Sequence, residues 1–579
     1  MDHRNVGIGV SSLVGLLAGL LALGSPAPAS AADVPDSVVE LQQYRQTASQ
    51  PITARDGREG VASLTDLNPR VGVWYLLELR FADRPVEHYH LETASTKPHS
   101  LILDPGFRDG LLIAEDAERR RCPLWAADEL ARAARANLPY VSLCEGRLFL
   151  RNPVRGRQTR LEAVVDLVRD HLWGGEGLID LAKDTVFKDA ELERARTSST
   201  DTPATASAEG PRPADLQPPF ENRLIDSGNL GIAVDGPRPG QLGIGQWYRA
   251  RDIDGVHLSL IEPQAVAAGI LSGFRDRVAG LDEVERSALV YLVAFDLERF
   301  SLGFSMGTQH PRVDWSARPP ASVRDAALPG PDGIADLKPL VMTGMVSPRD
   351  TASTVATFTG GFKRYHGAFR YGDLATRNHG SHYGFIEEEV VLSALQPGLA
   401  TLAVSIDGRV RMQTWRDADP LLGRLRYARQ NGVPLVEWDE TGKRPVPGAL
   451  VNRWGPGNWS GSAEGALRTV RAGACLQQSA QGRFLLYGYF SSATPSAMTR
   501  VFQAYGCEYA MLLDMNALIH TYLAVYPRIS GRVQVQHLVR GMAEVDQTLN
   551  GEVIPRFLGV PDNRDFFFLT RRQPTEGGQ

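Results

Sequence analysis

The sequence predicts an α+β protein in two folded parts, on three observations. Residues 197–222 are rich in Ser, Thr, Pro and Ala and almost free of large apolar side chains. Such a segment buries too little surface to offset its ordering entropy and reads as a disordered linker. Residues 36–196 carry strand-like runs followed by a helical pattern, an α+β module. Residues 223–573 are strand-rich, with one well-marked helix leading into a strand, a mixed α/β domain.

The elements follow in order. Arg4, an apolar run over 6–23 and the segment Ser25-Pro26-Ala27-Pro28-Ala29-Ser30-Ala31 describe a secretory signal peptide, 1–31, cleaved after Ala31. The glycines and trailing prolines argue against a retained anchor. No later segment is apolar for 18 residues, so no membrane span is expected after cleavage. The protein is expected to be exported, periplasmic or extracellular. In the first module, 71–81 and 88–92 read as strands. His88, His90 and Glu92 alternate along the second and share a face. That face is compatible with a metal but reads as the solvated side of a sheet. Residues 160–172 place Leu161, Val164, Val165, Leu167 and Val168 near one helical face, and 178–187 read as another helical piece.

In the second part, 256–261, 289–297, 300–306, 400–407, 410–414 and 483–490 read as strands. Thr494 is a good N-cap, Pro495 suits the first helical position, and Met498, Val501, Phe502 and Tyr505 share one face. Gly506 suits the stop. Residues 509–513 then read as a buried strand, with Asp514 at its C-terminal end, where mixed folds often place site residues.

A net charge of −5 over 579 residues, with only six lysines among 62 basic residues, leaves no basic footprint for nucleic acid. Export permits disulfides. Cys122, Cys144, Cys475 and Cys507 allow three connectivities, and proximity favours Cys122–Cys144 with Cys475–Cys507. No C-x-x-C pair supports zinc or thiol chemistry. There is no Walker loop, dinucleotide fingerprint, G-x-S-x-G elbow or H-E-x-x-H, which disfavours an NTPase, a dehydrogenase, an α/β-hydrolase and a zincin.

The helix, strand and Asp514 belong to a longer pattern. Thr357-Phe358-Thr359-Gly360-Gly361-Phe362-Lys363 forms an early turn. Asn452-Arg453-Trp454-Gly455-Pro456-Gly457 forms a loop, Arg468-Thr469 follows it, and Leu513-Asp514-Met515-Asn516-Ala517 closes the pattern. In order and spacing this resembles the phosphodiester glycosidase domain, the domain of the enzyme that uncovers mannose 6-phosphate and of bacterial exopolysaccharide-related proteins. The family's turn is N-G-G-F-F, its arginine pair is R-T, and its final strand ends L-D-G-G-G-S. The strand–D-G–strand stretch at 403–410 fits as well. Here Thr359 replaces the Asn, Lys363 replaces the second Phe, and Met515-Asn516-Ala517-Leu518 replaces the glycine run.

The resemblance implies an exported carbohydrate-active protein that hydrolyses or transfers a sugar at a phosphodiester-linked envelope glycan or exopolysaccharide. The departures imply the alternative, an inactive relative that binds glycan or assists envelope assembly. Arg468 would hold the phosphate, since guanidinium binds phosphate in a bidentate way. Asp514 would be the catalytic carboxylate. Thr359, Gly360, Gly361 and Asn516 would contact substrate at close-approach turns. His366, His379 and His382, within seventeen residues, are candidates for phosphate or sugar contacts and match no strong metal spacing. Trp454 is a candidate stacking platform, like Trp459. No cofactor is expected, and a divalent cation has no support in the residues.

Overall fold

The computed structural model describes residues 37–95, 99–115, 118–125, 128–158, 189–199, 210–309, 337–361, 383–416, 420–452 and 467–572. The helical patterns at 160–172 and 178–187 lie outside them. The described fold is mostly β, which corrects the α+β expectation. Its longest described helix is Pro495–Ala504, and the others span six residues or fewer. Short hairpin turns carry the chain from strand to strand, so the sheets are antiparallel rather than wound through crossover helices. Ser479 pairs with Gly482 across one such turn, and Gly482 sits at φ 137°.

The first module has a six-stranded sheet in the order Gln46–Thr53, Glu59–Asp66, Trp74–Phe81, Glu87–Thr93, Leu148–Arg151, Tyr140–Leu143. A three-stranded sheet, His99–Asp104, Phe107–Glu115 and Glu118–Pro123, closes over one face. Between them lies a small core including Leu77, Leu91, Leu111 and Leu124.

The second part centres on an eight-stranded sheet whose middle strands are Val290–Asp296, Gly482–Ala493, Thr469–Ser479 and Tyr509–Met515. These strands are buried on both faces, which is why they read as continuous apolar runs. Two five-stranded sheets flank it. One holds Phe300–Ser305, Phe566–Arg571, Thr354–Thr359, Leu523–Val525 and Gln536–His537 in that order. The other runs Val390–Ser393, Phe385–Glu387, Leu425–Gln430, Ala400–Ser405, Val410–Thr414. The helix is capped as its sequence predicts. Thr494 Oγ1 accepts from Ala497 N at 3.3 Å, and Gly506 takes φ 67°.

The segment expected to be a disordered linker is partly ordered. Thr197–Ser199 pairs with Arg223–Asp226. Residues 210–222 run along the second part, with Ala214 N donating to Gly245 O, Asp215 N to Ala504 O and Gln217 N to Ala265 O, all at 2.8–2.9 Å. Backbone hydrogen bonds hold this stretch, so its lack of large side chains does not leave it loose.

The two parts share a joint. Val38, Leu67, Val73, Trp74 and Leu76 of the first module belong to the main core of the second. His90 and Glu92 are each 1% exposed, which corrects their reading as a solvated face. His90 Nδ1 accepts from Val341 N at 3.0 Å, and Arg151 donates to Val341 O at 3.0 Å while pairing with Glu92. Opposite them stand three consecutive buried glutamates. Glu388 accepts from Arg349 Nη2, Arg426 Nε and Tyr427 Oη at 2.6–2.7 Å, and Glu389 pairs with Arg70. Burial alone would raise Glu388, but Arg426 and Arg349 hold it at about 2. Glu387 gains less from its neighbours, and burial pushes it up to about 7.

Candidate functional site

The early turn and the Asp514 strand end meet in space. Thr354–Thr359 pairs with Phe566–Arg571, so Thr359 lies opposite Phe566 and Gly360 N donates to Asp565 O at 2.9 Å. Thr359 Oγ1 donates to His520 O at 2.6 Å. His520 Nδ1 lies 3.0 Å from Met515 O, next to Asp514. Asp514 is 4% exposed; its Oδ1 accepts from Met515 N at 2.8 Å and its Oδ2 pairs with Arg564.

A second ion pair adjoins the first. Arg429 Nε donates to Asp565 Oδ2 at 2.7 Å, with both side chains fully buried. Arg429 also donates to Asn431 Oδ1 at 3.2 Å, and Asn431 Nδ2 reaches Leu512 O at 2.8 Å on the Asp514 strand. Thus Arg429 and Asn431 stitch one flanking sheet to the central one, while Asp565 ties in the other. Buried guanidinium–carboxylate pairs are tenable only with such additional hydrogen bonds.

The glycines are required by close approach. A Cβ on Gly360 would lie 2.7 Å from Asp565 Oδ2, and one on Gly361 would lie 2.9 Å from Arg429 Cζ and from the Asn431 amide. Asn516 takes φ 78°, a left-handed conformation that Asn tolerates better than most residues, and its N donates to Val470 O at 2.9 Å.

Arg468 is placed otherwise. Its guanidinium pairs with Asp189 Oδ2 at 2.8 Å and with Asp282, so its charge ties residue 189 to a helix N-cap instead of facing Asp514. Its hydrogen bonds to Asp189 and Asp282 raise its pKa further. Met515 packs against Arg471, whose Nη1 lies 3.0 Å from its sulfur. Burial lowers Arg471 to about 9. His366, His379, His382 and Trp454 lie outside the described residues. Arg429, Asn431, Arg564 and Asp565 were missed from sequence. Their signal is the polar run Asp562-Asn563-Arg564-Asp565 directly before an apolar strand, and Arg429-Gln430-Asn431 at the end of the strand Leu425–Gln430.

Each carboxylate of the cluster faces a guanidinium, a donor set unsuited to a cation. Among the described residues no three His, Cys, Asp or Glu are grouped to hold a metal, and no helix is long and apolar enough to cross a membrane. The disulfides are Cys122–Cys144 and Cys475–Cys507, as proximity favours. Two such bonds fit an exported protein, since the cytosol keeps thiols reduced.

No family model and no curated protein matches the chain. Among solved structures, a "putative exported protein" from Burkholderia pseudomallei K96243 is similar at 11% identity and a TM-score of 0.21. The match covers 51% of this chain and 76% of that one. A likeness at that TM-score carries no assignment of fold or activity.

Proposed function

We propose that this is an exported carbohydrate-active protein of the phosphodiester-glycosidase kind, hydrolysing or transferring a sugar at a phosphodiester-linked glycan. The observation that carries the reading is convergence. Thr359, Gly360 and Gly361 meet Asp514 through Asp565, Arg429, Asn431 and Arg564, although the two motifs are far apart in sequence. Asp514 would serve as the proton-transferring carboxylate. Arg564 and Arg429, not Arg468, would offset phosphate charge, the role guanidinium performs best in a desolvated site.

A second reading is a glycan-binding relative without activity. The space at Gly360 and Gly361 is filled by Asp565, Arg429 and Asn431 side chains rather than left for a substrate, which counts against catalysis there.

The test is turnover of a panel of sugar phosphodiesters, nucleotide sugars included, by the secreted chain and by Asp514→Asn. Turnover that falls about 100-fold in the variant, with folding retained, is expected for an enzyme. No turnover on any member, with glycan retained on an array, would sink the enzyme reading and favour the second.

A further inference from the structure

A cleft of 390 Å³ lies at the start of the Asp514 strand, at the end opposite Asp514. It opens between two sheet edges. One wall is Val410–Thr414, the edge strand of a flanking sheet, and the other is the hairpin Val436–Asp439 with Arg444–Pro447, the edge of the central sheet. Pro445 and Pro447 suit an edge strand, because proline offers no N–H to a further neighbour. Trp438 pairs with Pro445 in this hairpin and is 43% exposed. The floor is polar and ordered. Thr414 Oγ1 and Tyr509 Oη lie 2.9 Å apart, and Glu437 Oε1 accepts from Ala449 N at 3.3 Å. Arg416 and Glu440 are exposed and also line the cleft.

An exposed indole beside held hydroxyl and carboxylate groups and an exposed guanidinium suits a ligand with an apolar ring face and hydroxyls at its rim. The charges nearly cancel, since Arg416 and Glu437 both line the cleft and Glu440 pairs with Lys443 at 3.1 Å. That balance favours a neutral ligand over a polyanion. A 490 Å³ cleft in the first module lacks this character: Phe81 there lies under the guanidinium groups of Arg58 and Arg84, 5.5 and 4.9 Å from its ring centre. We propose that the Trp438 cleft is a saccharide-binding site for neutral hexose chains, separate from the Asp514 cluster and independent of any catalysis there.

The test is calorimetric titration of the secreted full chain with cellotetraose, maltotetraose and mannotetraose. At least one is expected to bind, Trp438→Ala to weaken it about tenfold or more, and Trp438→Phe to retain most of it. Asp514→Asn is expected to leave the binding unchanged. Because Trp438 is partly exposed, the variants should melt with the wild type, and circular dichroism checks this. Binding by none of the three sugars, or binding unaltered in Trp438→Ala, would overturn the proposal. So would a wild-type dimer that Trp438→Ala converts to monomer without sugar binding, which would make the cleft a self-interface.

Discussion

Two buried ionic networks lie toward opposite ends of one strand, Leu425–Gln430, and they differ in kind. Arg426 and Tyr427 point into the joint with the first module and hold Glu388. Arg429 points to the Asp514 cluster and holds Asp565. The joint network is pressed between two folded parts around a space of about 10 Å³, room for at most one water. The Asp514 network sits where strands end and the backbone turns through Gly360, Gly361 and a left-handed Asn516. Buried charge alone therefore does not mark a site. Unusual backbone does not separate the two either, since Glu388 and Glu389 take φ 50° and 67° between strand ends; the Asp514 network differs in that Gly360 and Gly361 bring backbone against Asp565, Arg429 and Asn431.

The largest effect is expected at the joint. Arg151→Met removes the partner of Glu92 and the donors to Val341 O. Stranding a buried carboxylate should cost about 3–5 kcal/mol in urea unfolding. A loss below about 1 kcal/mol would mean that the two parts do not depend on this network.

Next comes Glu387. Its folded pKa, about 7, lies above the ordinary 4.5, so the folded state binds this proton more tightly. The stability it contributes is complete below pH 4.5 and is lost as pH rises to about 7. Glu387→Gln should flatten that window and exceed the wild type at pH 8 by up to about 3 kcal/mol. Parallel wild-type and variant curves across pH 4.5–7 would remove Glu387 as the source.

At the other end of the strand, Asp514→Asn keeps an oxygen to accept from Arg564, and about 1–3 kcal/mol of stability should be lost. Thr359→Val removes the bond to His520 O and should cost about 1 kcal/mol by thermal melting. If either equals Arg151→Met, the contrast between joint and site weakens.

What was legible in the sequence was local. The helix from Thr494 to Gly506 was readable because its cap, first-turn proline, apolar face and stop all lie within thirteen residues. Strands such as Val256–Ile261 and Val410–Thr414 were readable from their apolar or alternating runs. Class was misread because antiparallel pairing is decided by distant partners, as when Thr359 meets Phe566. The Thr359–Gly361 turn and Asp514 were named through a resemblance, but nothing in the sequence joined them to Arg429 or Asp565. Glu387-Glu388-Glu389 looks like a solvated acidic turn, because three adjacent carboxylates are normally left in water. Arg349, Arg426, Arg70 and Tyr427, with Met306 N donating to Glu387 at 2.9 Å, are brought from elsewhere and make their burial tenable.

The measurement that tests the account most directly compares Asp514→Asn with Glu387→Gln in one sugar-phosphodiester assay, both shown to be folded. Asp514→Asn is expected to lose about 100-fold in turnover while Glu387→Gln stays within about twofold of the wild type. Equal losses in both, or none in Asp514→Asn, would contradict the assignment of one network to chemistry and the other to the joint.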